Sequence, residues 1–184
     1  MVDPQICKIL LEETGLDDEK IEYVLPKVLA RIGETYHDMD KRSTLNQGVQ
    51  QLLRILTKSQ NHIVGVLTGN FSTVAAEKLR VTGIDAYFTE RFYADGYFER
   101  DPLIDDAVTT CVANSKLPDR KNVIIVGDTP RDMSAANAAR ATSIGIASGI
   151  FSREQLSQAN ATWVFSDLRP SKELLRALGL GPQK

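Results

Sequence analysis

A chain of 184 residues, with 42% hydrophobic and 25% charged content and a formal net charge of -2, has room for one domain with a small appendage and enough apolar material for a core. It carries no basic block, which argues against nucleic acid or an anionic membrane as partner, and no apolar run near the roughly 20 residues of a membrane span. The opening lacks a secretory leader pattern, and Cys7 and Cys111 lie far apart in helix-like stretches. The expected compartment is therefore cytoplasmic, and both thiols are expected reduced and packed in the core.

In chain order, the first segment reads as a helical pair. Ile6, Ile9 and Leu10 share one face, Gly15 ends that helix, and Asp17 or Asp18 caps the next. Ile21, Val24, Leu25, Val28, Leu29 and Ile32 follow helical spacing closely. Pro26 either kinks this helix or opens a new one. Asp38 to Asn46 is polar and reads as a linker, so the expected division is a helical part over residues 1–44 and a second part over 45–184.

The second part alternates helix and strand. Val49, Leu52, Leu53 and Leu56 form a helix face; His62 to Leu67 is a strand ending in Thr68-Gly69-Asn70; and Val74 to Leu79 suits a helix closed by Gly83. Tyr87-Phe88 and Phe92-Tyr93 are small strands or an ordered loop. A helical stripe runs from Ile104 to Val112. Val123 to Val126 is a strand feeding Gly127-Asp128-Thr129-Pro130 and an alanine-rich helix. Ser143 to Ala147 is another strand, Ser152 caps a helix, Trp163 to Phe165 is a last strand, and Lys172 to Leu178 a last helix. Strands separated by helices predict an α/β fold with a parallel sheet and helices on both faces. The near-continuous apolar runs predict strands covered on both sides.

Candidate chemistry sits at the carboxyl ends of the two main strands, where open parallel sheets bind ligands. Asp128 and Asp132 are four apart across a turn into a helix. Such a pair suits magnesium, a hard cation that keeps several waters; alternatively Asp132 only faces the helix dipole. Thr68, Gly69 and Asn70 offer a hydroxyl and backbone N–H groups at a helix start, which form either a phosphate cradle or an ordinary cap. Arg100 is a fixed cation for a phosphate, or a surface arginine. His37 and His62 have no metal or triad pattern, and neither a nucleophile elbow nor a Walker loop is present.

In this order, the hydroxyl turn, the cation and the double-acid turn resemble the haloacid dehalogenase superfamily of phosphohydrolases. Leu67-Thr68-Gly69-Asn70 looks like its second motif, Arg100 stands where it places a lysine or arginine, and Gly127 to Asp132 looks like its metal-binding motif. Gly149 to Leu156 with Ala159, and the opening Asp3-Pro4-Gln5-Ile6, are similar to phosphoglycolate-phosphatase-like members. The resemblance implies a Rossmann-like core over 45–184 and a partial helical cap over 1–44. It also implies magnesium on Asp128 and Asp132, phosphate on Thr68, Gly69, Asn70 and Arg100, and a small phosphorylated metabolite as substrate.

One motif that the resemblance demands is missing. The family's nucleophile and acid/base come from an apolar strand ending in Asp-x-Asp-Gly-Thr. The only Asp-x-Asp is Asp38-Met39-Asp40, with no apolar run before it and Lys41-Arg42 in place of Gly-Thr; it reads as linker, and no catalytic residue is assigned. In the family that strand is central, between those ending at Leu67 and Val126. Without it these two are expected to pair directly, leave a gap or accept a strand from elsewhere, and the chain is expected to be either a truncated or inactive form or a poorly stable one. The alternative is a non-catalytic binding or scaffold relative that retains the phosphate and metal pockets. A receiver-like or flavodoxin-like domain fits less well, wanting an acid cluster near its start or a hydroxyl-rich loop after its first strand.

Overall fold

The computed structural model describes residues 2–36 and 43–180; His37 and the Asp38-Met39-Asp40 run lie outside the described residues. The helices are α1 (Asp3–Glu13), α2 (Asp18–Tyr36), α3 (Val49–Leu56), α4 (Ser72–Thr82), α5 (Arg100–Ser115), α6 (Pro130–Ala138), α7 (Arg153–Gln158) and α8 (Lys172–Ala177). The strands are β1 (Gly65–Leu67), β2 (Glu90–Phe92), β3 (Ile124–Gly127), β4 (Thr142–Ile146) and β5 (Trp163–Phe165). The chain divides into two compact units, Met1–Thr44 with Ile63–Leu103, and Leu45–His62 with Ile104–Lys184. The stretch carrying β1, α4 and β2 thus groups with the helical pair.

In the first unit β1 and β2 pair in parallel, Gly65 beside Glu90 and Leu67 beside Phe92, with α4 in the connection between them. Val2, Ala94 and Leu103 are buried together, with Leu67, Phe92 and Tyr97 packed against them. On α2 the expected stripe turns inward, with Ile21 and Leu25 buried, and Asp17 caps the helix by accepting from the Lys20 N–H at 2.9 Å. Pro26 lies inside a single helix, α2. The expected face of α1 is not the inward one. Ile6, Ile9 and Leu10 are 39%, 36% and 56% exposed, while Pro4, Cys7, Lys8 and Leu11 form the covered stripe. Helical spacing allows either stripe; the attachment of Asp3, described below, selects the one that shares its side of the helix.

In the second unit β3, β4 and β5 form a parallel sheet in that order, with Val126 beside Ile144 and Gly127 beside Gly145. Leu52 of α3, Ile144 and Ile146 of β4, and Leu174 and Leu178 at the α8 end make its core. His62 has a structural role here: its Nδ1 lies 2.7 Å from Ser59 Oγ and its Nε2 2.8 Å from the Leu178 carbonyl. Gly48 is forced by close approach, since a Cβ there would lie 2.1 Å from the Arg169 nitrogen.

The fold is therefore α/β with parallel strands, as expected, but among the described residues the strands form two sheets. Among the described residues β1 has β2 as its neighbour in one sheet and β3 has β4 in the other. Coverage of β3 on both faces is also not realised. Ile125 is 9% exposed and the next residue, Val126, 43%, as alternation across a strand with one well-covered face produces.

Candidate phosphate- and metal-binding turns

The first unit's turn begins where β1 ends. Thr68 continues the ladder by donating its N–H to the Phe92 carbonyl at 3.0 Å, and its Oγ1 accepts from the Asn70 N–H at 3.2 Å. Helix α4 follows, with Phe71 at the N-cap and no oxygen of its own to offer the first turn. The orphan donors of that turn find acids from elsewhere in the chain. Asp3 Oδ2 accepts from the Phe71 N–H at 3.3 Å. Asp95 accepts from the Ser72 N–H at 2.8 Å and from its hydroxyl at 2.9 Å. Two carboxylates thus face the positive end of the helix dipole.

Asn70 is braced at both ends of its amide. Nδ2 donates to the two oxygens of Asp3 at 3.1 and 3.0 Å, and Oδ1 accepts from Lys78 Nζ at 2.8 Å. The sequence assigns Asp3, Lys78 and Asp95 no part in this turn. Their contacts join segments far apart in the chain, which neither periodicity nor a local motif records. Only Thr68 among the three turn residues keeps a side-chain hydroxyl proton with which to donate to an anion.

In the second unit β3 runs into Thr129, the N-cap of α6. Its Oγ1 accepts from the Asp132 N–H at 3.1 Å, while Asp132 Oδ2 accepts from the Thr129 hydroxyl at 2.8 Å and its N–H at 3.3 Å. This is a capping box, and Thr-x-x-Asp spacing signals one. Asp132 is 4% exposed and stands in the first turn of α6. Gly127 is required by it, because a Cβ there would stand 2.5 Å from Asp132 Cβ. Asp128 is exposed, and its Oδ2 lies 3.2 Å from where a Cβ on Gly149 would be. Gly149, in the loop after β4, therefore leaves room for the Asp128 carboxylate.

Arg100 is the first residue of α5, half-buried and engaged in an interaction of its own. Among the described residues no group of three or more His, Cys, Asp or Glu gathers as a metal site. Two carboxylates fit an ion that keeps most of its waters, with Asp128 the accessible one. Cys7 and Cys111 are not joined in a disulfide and are half-buried rather than core residues. No described helix is long and apolar enough to cross a membrane.

A family profile described as haloacid dehalogenase-like hydrolase matches residues 5–146, most of the chain. The chain belongs to this family. Among haloacid dehalogenase-like proteins, the phosphoglycolate phosphatase of Neisseria meningitidis is 31% identical over 132 residues, 70% of this chain and 53% of that protein. The chain thus spans about half the length of this curated relative. Among solved structures, a hydrolase from Pseudomonas syringae is 25% identical with a TM-score of 0.62, covering 89% of this chain and 72% of that one. A β-phosphoglucomutase from Clostridium difficile is 16% identical with a TM-score of 0.71, covering 97% and 78%; at that identity the likeness shows the fold.

Proposed function

We propose that this haloacid dehalogenase-like chain carries the phosphate-binding and magnesium-binding elements of a phosphatase of the phosphoglycolate type, without the nucleophile. The substrate class is a small phosphorylated metabolite. The observation that carries the reading is the placement of Thr68 and Asp128, each directly beyond the carboxyl end of a parallel strand.

Thr68 donates its hydroxyl to a phosphoryl oxygen, joined by N–H groups around Gly69, and Arg100 adds positive charge; fixed donors of this kind stabilise charge that develops in phosphoryl transfer. Asn70 contributes through its backbone, its amide being held by Asp3 and Lys78. Asp128 would hold the metal, while Asp132 shapes the turn through Thr129 and would help to hold it. Bound magnesium would supply a hard Lewis acid at Asp128. No Asp-x-Asp-Gly-Thr occurs in the 184 residues, so the chain alone binds phosphate and magnesium without turnover.

That same absence favours the second reading, a non-catalytic binding or scaffold protein. Titration calorimetry with magnesium and with inorganic phosphate tests the assignment. Thr68→Val should abolish phosphate binding and leave magnesium binding intact, and Asp128→Asn should do the reverse. Unchanged binding in both variants would place the sites elsewhere. Recovery of the chain in a larger assembly, with both ligands bound and no turnover, would favour the scaffold reading.

A further inference from the structure

We infer that Asp3 is the positioning residue of the Thr68 turn, an inference that rests on the phosphate-binding reading of that turn. Asp3 grips the turn by backbone and side chain together. Its N–H donates to the Gly69 carbonyl at 2.7 Å, and its carboxylate accepts from the Phe71 N–H and from Asn70 Nδ2. A trans peptide points its C=O and N–H in opposite directions. Holding the Gly69 carbonyl against Asp3 therefore turns the Asn70 N–H the other way, and it lies on Thr68 Oγ1 at 3.2 Å. With that N–H donated to it, the threonine oxygen keeps its own proton for an anion. One peptide rotation thus sets both the hydroxyl and the N–H beside it, and Asp3 fixes that rotation.

The grip also explains two features that phosphate binding alone does not. Asn70 is a brace, its amide spanning Asp3 and Lys78. And because Asp3 is the first residue of α1, the helical pair is fastened to the turn at its first residue.

The test is a 15N NMR titration with inorganic phosphate, reading the Gly69 and Asn70 amides, on the chain and on Asp3→Asn, Asp3→Ala, Asp3→Pro and Thr68→Val. Asp3→Asn keeps the N–H and one acceptor oxygen; Asp3→Ala keeps only the N–H. Asp3→Pro keeps neither, and the extended backbone of Val2 (ψ 155) accommodates it. Phosphate affinity should fall in that order, by about tenfold for Asp3→Ala, the equivalent of one lost charge-assisted hydrogen bond. Asn70 and Phe71 amide exchange in the unliganded protein should quicken in step. Equal affinity for wild type and a folded Asp3→Ala, with Thr68→Val abolishing binding, would overturn the inference and leave the phosphate reading standing. No response in wild type would overturn both. If Asp3→Ala does not fold, Asp3→Asn decides: wild-type affinity there overturns the inference, partial loss supports it.

Discussion

Cys7 lies one helical turn beyond Asp3 on α1 and reports on that carboxylate. Burial, and secondarily the Asp3 charge, raise its thiol above the ordinary cysteine range. A raised value leaves less thiolate at a given pH, so alkylation is slow near neutrality and its rate profile is displaced upward. Asp3→Asn removes one of the two causes. The iodoacetamide rate at Cys7, followed by peptide mass spectrometry from pH 7 to 10, should shift toward lower pH in that variant; an unmoved profile would mean that the charge does not reach the sulfur. At this scale the sequence was informative where partners are near in the chain. Thr129 and Asp132 are three apart, and their mutual cap is written in the spacing. Asp3 and Asn70 are not, and nothing in a local pattern joins residue 3 to residue 70.

At the scale of elements, the β3–α6 unit is the best specified part of the chain. Its apolar strand, its glycine and its capping threonine all point to one local structure. Two substitutions separate the roles. Thr129→Ala removes the cap hydroxyl from both the Asp132 N–H and its carboxylate, and should lower the local opening free energy of α6 by about 1 kcal/mol. Gly127→Ala forces a methyl against Asp132 Cβ and should cost more, about 1–3 kcal/mol, because the strand-to-helix step itself must shift. Amide hydrogen exchange in the first turns of α6 measures both; equal protection in wild type and Gly127→Ala would refute the steric reading. Elsewhere most helices and strands were legible from periodicity, while Tyr87-Phe88 and Phe92-Tyr93 stayed open between strand and loop and the strand that forms there is Glu90–Phe92. The inward face of α1 was not, since Ile6, Ile9 and Leu10 offered a plausible apolar stripe that the Asp3 attachment turns to the surface. The shortness of β1 and β2 was hidden too, because a run such as His62 to Leu67 does not show how much of it finds a partner strand.

For the whole molecule, the parallel α/β character was readable from alternation, and the 184 residues hold no Asp-x-Asp-Gly-Thr. How the strands distribute was not, because pairing depends on which neighbours exist. Among the described residues they form separate sheets of two and three strands, with Val126 of β3 43% exposed. An apolar residue so exposed on a strand with one strand partner is poor support for a stable domain. Urea unfolding followed by circular dichroism should therefore show a broad or early transition. A single cooperative transition worth roughly 5 kcal/mol or more, as in an ordinary domain, would contradict this.

The central claim is that the chain supplies phosphate- and magnesium-binding turns but no nucleophile. Magnesium-dependent hydrolysis of p-nitrophenyl phosphate tests it most directly, measured on this chain and on a version with an apolar strand ending in Asp-x-Asp-Gly-Thr added before Val2. The account predicts no turnover by the chain itself, and turnover by the extended version that Asp128→Asn removes. Turnover by the unextended chain, abolished by Asp38→Asn, would contradict it.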